Sequence, residues 1–201
     1  MNSVAIVVTA YKIPDVVICR FLSENPYNII LVSDSKYATT KCPEMDIFSI
    51  AKTSNIGIRK AVQDGFDVIV KTDIDCILTS DFMDYCKNLN IGNGASFRHW
   101  NIQSCQSYDN AELDPRCMGT AVMHAESWCD LNGYNENMFG YGYDDGDIFE
   151  RAIKIISMEL LTEPKVYHIA HEKHNQDINP LNREYNYLNR RNYVNSEWGL
   201  Y

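Results

Sequence analysis

The sequence predicts an α/β fold, and three observations carry that prediction. Short runs rich in Val and Ile alternate with longer stretches of helical spacing. The 201 residues suit one domain with a short tail. Hydrophobic residues make up 45% and charged residues 22%, the range of folded globular chains and not of disordered ones.

The elements follow in order. Ser3–Thr9 (SVAIVVT) reads as a buried strand. Pro14 stands where a helix can begin, because the first helical position needs no N–H, and Asp15–Ser23 has helical spacing. Asn28–Ser33 (NIILVS) is a second strand, ending at Asp34, and Asp46–Ile50 is a candidate third. Thr53–Asp64 reads as a helix closed by Gly65. Asp67–Thr72 (DVIVKT) is a buried strand running into Asp73-Ile74-Asp75. Ser80 or Asp81 caps a helix to about Leu89. Gly94–Phe97 and Thr120–His124 read as strands, with a polar loop over 99–116 between them. Asp147–Ser157 is an amphipathic helix and Lys165–Ala170 a late strand. The division expected is one domain over 1–180, with 181–201 a tail or helix that docks on it or leads into a further domain.

Composition excludes several functions. The longest clean apolar run near the start is Val4 to Val8, far short of the roughly 20 residues that span a bilayer. The net charge of −9 repels phosphate backbones and argues against nucleic acid as a partner. A small phosphorylated ligand stays open, since a bound divalent cation supplies positive charge locally. Seven cysteines, an odd number with no CxxC pair, read as reduced thiols mostly buried as small hydrophobes. With no basic, apolar leader at the start, the expected location is the cytoplasm of a microbe or a virus-infected host cell, not the secretory pathway.

Three segments carry candidate chemistry. Asp73 and Asp75 follow an apolar strand, and residues i and i+2 of a strand point to one side, so two carboxylates converge where open α/β sheets bind ligands. Hard anionic oxygens there suit Mg²⁺ or Mn²⁺ bridging a diphosphate; the bland alternative is a pair of solvated turn aspartates. Residues 132–149 read NGYNENMFGYGYDDGDIF: Gly140 and Gly142 flank Tyr141, and Asp144, Asp145 and Asp147 precede an apolar helix. Acids at a helix N-terminus serve as caps, or one of them, Asp145, serves as a general base beneath an aromatic loop that closes on substrate. Residues 166–174, VYHIAHEKH, hold His168, His171 and His174, three of the five histidines. An imidazole paired with the two aspartates favours Mn²⁺; otherwise one histidine is buried and the rest are solvated.

The order of these motifs resembles the GT-A fold nucleotide-sugar glycosyltransferases, nearest in pattern to the inverting β-1,4-galactosyltransferase and polypeptide GalNAc-transferase group. The likeness covers Ser3–Pro180 through DxD at 73–75, NGYNENMFGYGYDDGDIF and HIAHEKHNQDINP at 168–180. It implies a Rossmann-like, mixed but mostly parallel central sheet flanked by helices. It implies Asp75 as a metal ligand with His171, His168 as a second candidate ligand, and Asp73 contacting the donor's ribose or sugar, or the metal through water. Asp145 takes the place of the catalytic base. Asp144 takes the place of the acid that binds sugar, with Tyr141 and Gly142 in the acceptor loop. Thr9, Ala10 and Tyr11 end the first strand where such enzymes hold the nucleotide, Asp34 reaches uracil or ribose, and Asn55 and Arg59 face the donor. The sequence departs from the pattern in having Tyr at 141 for Trp, Asp at 144 for Glu, and one residue fewer between His171 and Asn-Pro.

The implied activity is metal-dependent transfer of a hexose-type sugar from a UDP-sugar to a hydroxyl of a glycan or glycoprotein, with inversion. Two other readings compete. A sugar nucleotidyltransferase would need a Gly-rich basic phosphate loop after the first strand, where the chain reads TAYKIPD. A metal-dependent nucleotide-sugar-binding module without transfer would leave Asp144, Asp145 and Asp147 as capping groups only.

Overall fold

A computed structural model of the chain describes residues 1–44, 49–103, 108–116, 118–138, 142–169 and 180–189, the last segment with side chains at 184–188. Its strands are β1 (Val4–Ala10), β2 (Ile29–Ser33), β3 (Thr40–Lys41), β4 (Val68–Thr72), β5 (Cys76–Leu78), β6 (Asn93–Ile102), β7 (Glu112–Leu113), β8 (Thr120–His124) and β9 (Ser157–Ile169). Its helices are α1 (Asp15–Glu24), α2 (Ile50–Gln63), α3 (Ser80–Lys87), α4 (Ala125–Asp130), α5 (Asp144–Ala152) and α6 (Pro180–Asn189).

The strands form one mixed sheet in the order β3-β2-β1-β4-β8-β6-β9-β5, with β7 paired to β6. Its parallel character is concentrated in β3-β2-β1-β4. β8 runs antiparallel to both β4 and β6, and β9 lies parallel to β6 but antiparallel to β5. Alternation along the strands sorts the core into two layers. Val4, Ile6 and Val8 of β1 pack with Ile18 and Phe21 of α1 and Phe82 and Met83 of α3. Ala5 and Val7 face the other way, onto Ala51 and Ile58 of α2, Trp128 of α4 and Ile148 of α5.

Local chemistry explains the elements the sequence shows, and several it hides. Ser49 caps α2, its hydroxyl accepting from the Lys52 N–H. Ile50 is thus helical and not the end of a third strand; residues 46–48 of that expected strand lie outside the described residues. Gly65 at φ +80° follows α2 as expected. Thr79, not Ser80 or Asp81, caps α3, accepting from the Phe82 N–H. The expected loop over 99–116 is a strand to Ile102, with a single 3-10 turn at Tyr108–Asn110 and the short β7 among its described residues. α5 starts at Asp144, earlier than expected, and Ser157 belongs to β9, which is longer than the expected Lys165–Ala170. Among the described residues five cysteines are free, but only Cys76 and Cys86 are buried, so thiol burial is less general than expected. No helix among the described residues is long and apolar enough to cross a membrane.

Candidate functional site

The carboxyl edge of β2, β1 and β4 gathers most of the predicted residues. Ala10 pairs with Ser33 and Val8 with Thr72, so Thr9, Ala10 and Tyr11, Asp34, and Asp73-Ile74-Asp75 leave the sheet side by side. The Lys12 N–H donates to both oxygens of Asp34, at 3.2 and 3.4 Å, which ties the ends of β1 and β2 together. Ile74 packs into the core while its two acidic neighbours remain part-exposed.

Lys71 lies under the pair. It shares a face with Asp73 two residues on, and its side chain is 1% exposed. The ammonium donates to Asp73 Oδ1 at 2.9 Å and stands 3.9 Å from Asp145 Oδ1. Burial works against its charge, but Asp73, Asp145, Tyr134 and Asp144 outweigh burial and hold its pKa well above the usual lysine value. Asp144 and Asp145 occupy the first turn of α5, whose preceding residue Tyr143 takes the left-handed conformation at φ 70°. Burial, then the neighbouring Asp144, pushes the Asp145 carboxyl well above its usual range, with Lys71 pulling the other way. Burial likewise raises Asp144, against the pull of Lys71. Asp145 Oδ1 and the Tyr134 hydroxyl are both buried and, among the described residues, have no hydrogen-bond partner.

Asp75 meets the far half of the sheet. β5 pairs with β9 so that Cys76 stands opposite His168, and the Ile169 N–H donates to the Asp75 carbonyl at 2.9 Å. His168 Nε2 lies 3.3 Å from Asp75 Oδ2, and its Nδ1 lies 2.9 Å from Asn101 Oδ1. Asn101 Nδ2 faces Asp114 Oδ2 at 3.4 Å, which fixes the amide with its oxygen toward the ring. That oxygen only accepts, so Nδ1 carries a proton and a neutral ring turns the lone pair of Nε2 toward Asp75. A lone pair facing a carboxylate oxygen is met either by a ring proton, making an ion pair, or by a shared cation; an imidazole nitrogen and a carboxylate oxygen are donor types that suit Mn²⁺, with Asp73 adjacent. Among the described residues no group of three or more His, Cys, Asp or Glu is gathered for a metal. His171 and Tyr141 lie outside the described residues, as does His174.

Beneath Asp75 runs a buried polar chain. His99 is stacked on His168 with ring centroids 5.7 Å apart, and its Nε2 bonds the Thr120 hydroxyl at 2.9 Å. Thr120 in turn bonds Thr72 at 2.8 Å. Burial above all lowers the His99 pKa to about 4.

Two predicted donor contacts fall elsewhere. Asn55 is fully buried, and its amide is used within the protein: Nδ2 donates to the Tyr134 carbonyl and Glu136 Oε1, and Oδ1 accepts from the Tyr134 N–H. It anchors the 134–136 segment to α2 and has no face toward a donor. Arg59 lies near Cys129 of α4, whose thiol pKa is raised by burial and by Asp130, with Arg59 pulling the other way. α4 follows His124, the partner of Val68 at the start of β4, so Arg59 sits toward the edge opposite Asp73. Gly142 is held from outside its loop: its carbonyl accepts from Asn186 Nδ2 of α6 at 3.0 Å, while Tyr143 and Tyr187 pack with ring centroids 5.3 Å apart.

Sequence reasoning passed over Lys71, His99 and Tyr134. For Lys71 a signal existed, since a lysine inside a buried apolar run demands a partner.

Residues 107–175 match the family model described as the N-terminal domain of galactosyltransferase. No curated protein sequence matches the chain. Among solved structures, the catalytic domain of Drosophila β1,4-galactosyltransferase 7 in complex with xylobiose superposes with a TM-score of 0.59 at 17% identity, covering 88% of this chain and 74% of that one. A mutant of that enzyme in complex with manganese, UDP-Gal and xylobiose gives 0.59 at 15% identity over 87% and 74%. The mannosyltransferase PcManGT from Pyrobaculum calidifontis, in complex with GDP-Man and Mn²⁺, gives 0.55 at 12% identity over 86% of this chain and 58% of that one. The chain has the GT-A fold of nucleotide-sugar glycosyltransferases.

Proposed function

We propose that the chain is a metal-dependent glycosyltransferase that moves a hexose-type sugar from a UDP-sugar to a hydroxyl of a glycan or glycoprotein, with inversion at the anomeric carbon. The observation that carries this reading is the convergence of Asp145, at the start of α5, with Asp73 at the end of β4 around one buried lysine. The GT-A fold and the sugar donors named for the similar structures support it.

Thr9, Ala10, Tyr11 and Asp34 line the edge where the nucleotide would lie. Asp75 and His168 would hold Mn²⁺ or Mg²⁺, with His171 a further ligand and Asp73 close by. Bound there, the ion would neutralise charge on the departing diphosphate. Asp145 takes the proton of the acceptor hydroxyl as its oxygen bonds to the anomeric carbon. The bond from that carbon to the UDP oxygen breaks, and its electron pair leaves with UDP. A raised carboxyl pKa suits a base working near neutral pH. Asp144, Tyr141 and Gly142 would contact the acceptor or donor sugar.

The first test is calorimetry of UDP with Mn²⁺ and with EDTA, on wild type and Asp75→Ala. Metal-dependent binding that vanishes in the variant is expected. Absence of UDP binding under every metal condition overturns the UDP-sugar reading and directs attention to GDP-sugars or to a binding module without transfer. Asp145→Asn is expected to keep UDP binding and to lose transfer by roughly 10²–10⁴-fold.

A further inference from the structure

We infer that Lys71 is the positioning residue of the base: its buried ammonium is the fixed counter-charge that sets the Asp145 carboxylate against Asp73, joining the donor edge of the sheet to the helix that carries the base. This rests on Asp145 acting as the base.

A charged side chain inside an apolar strand is costly unless paired. Val68, Ile69 and Val70 are buried apolar residues, and Lys71 follows them just as deeply buried. The lysine is therefore not explained by the strand. Its surroundings explain it. Asp73, Asp145 and the Tyr134 ring surround its ammonium, the ring centroid at 5.8 Å, and Asp144 adds its charge nearby. Among the described residues, the ion pairs of both Asp73 and Asp145 are made with Lys71.

The two contacts differ in kind. Asp73 Oδ1 takes a hydrogen bond at 2.9 Å, whereas Asp145 Oδ1 at 3.9 Å receives charge without a hydrogen bond. An ion pair of this length orients the carboxylate through its buried Oδ1, while the side chain stays 30% exposed to meet a substrate hydroxyl. Asp144 and Asp145 are adjacent like charges on one helical turn, and Lys71 offsets their repulsion.

The test is a double-mutant cycle on transfer kinetics, with Lys71→Gln, Asp145→Asn and the pair combined. Glutamine keeps a hydrogen-bond donor for Asp73 and removes the charge. Lys71→Gln is expected to lower kcat at least about tenfold while UDP affinity stays within about threefold. In the Asp145→Asn background the same change is expected to cost nothing further. An unchanged kcat, a loss confined to UDP affinity, or losses that multiply would each overturn the inference. Circular dichroism and a thermal melt accompany every variant. If the Gln variant does not fold, Lys71→Met, similar in volume and uncharged, carries the same cycle with the same outcomes. If Asp145→Asn itself transfers at the wild-type rate, the base assignment has failed and the role of Lys71 falls with it. A normal Lys71→Gln beside an inactive Asp145→Asn rejects the role of Lys71 alone.

Discussion

Gly119 forms the wall against which the Asp73 carboxylate rests. A β-carbon on Gly119 would lie 2.5 Å from Asp73 Oδ2 and 2.9 Å from Cε1 of His99. The carboxylate, 40% exposed, can swing away, but the buried His99 ring cannot. Gly119→Ala is therefore expected to turn Asp73 out of line and weaken metal-dependent UDP binding about tenfold, with a stability loss of about 1–3 kcal/mol from overpacking. Calorimetry and urea unfolding measure both. Unchanged UDP affinity would show that the donor does not need Asp73 in this orientation.

His99 gives the fold an acid limit. Its folded pKa of about 4 is depressed, chiefly by burial, below the ordinary 6.5. The folded state thus binds this proton less readily than the unfolded state. Its contribution is present above about pH 6.5 and is lost as pH falls toward 4, reaching about 2–3 kcal/mol between pH 7 and pH 4.5. Urea unfolding at those two pH values is expected to show a larger acid loss in wild type than in His99→Gln. An equal loss would assign the acid sensitivity to other groups.

Asp145 works in the opposite direction. A carboxyl whose folded pKa is raised stabilises the protein below its unfolded value, and that contribution is lost as pH rises through the folded value. At pH 7 its ionised form is a burden on the fold. Asp145→Asn is expected to melt at a higher temperature than wild type at pH 7, with the gain shrinking as the solution is acidified. A variant that is less stable at pH 7 would contradict this, whatever its activity.

Arg151 is expected to be the costliest single loss near the site. Its Nε donates to the fully buried Asp147 at 2.8 Å, and its other nitrogens donate to the Leu131 and Gly133 carbonyls at 2.8 and 2.7 Å. Arg151→Met takes the guanidinium from a buried carboxylate and from the turn that leads to Tyr134. The expected cost is about 3–5 kcal/mol by urea unfolding. A loss below about 1 kcal/mol would mean that the turn is held by other contacts.

The half of the candidate site at the edge of β1, β2 and β4 was legible because its strands are continuous apolar runs that stop at polar residues. Asp34 and Asp73 end such runs, and parallel pairing brings them to one edge. The other half was not. His99, Trp100 and Asn101 look like loop residues, and pairing with β9 on one side, joined at Trp100 and Asn101 by β7 on the other, makes them strand. β5 is three residues long and follows the DxD turn at once, too short for any periodicity. Asn55 was placed at the donor by the family resemblance alone, and its own surroundings decide otherwise: the Tyr134 backbone and the Glu136 side chain consume its amide. Lys71 was hidden by the strand reading itself, since a continuous apolar run marks the segment as buried without saying what charge waits beside it.

The clasp on Gly142 has a consequence for how portable the acidic motif is. Tyr143 holds a left-handed backbone that costs a residue with a side chain about 1–3 kcal/mol. Asn186 and Tyr187, on a helix beyond the last strand, grip the two residues at that bend. The bend that launches α5 is thus enforced by a segment that the motif does not contain. Grafting residues 132–149 onto another sheet would carry over the acids and leave behind the grip that aims them.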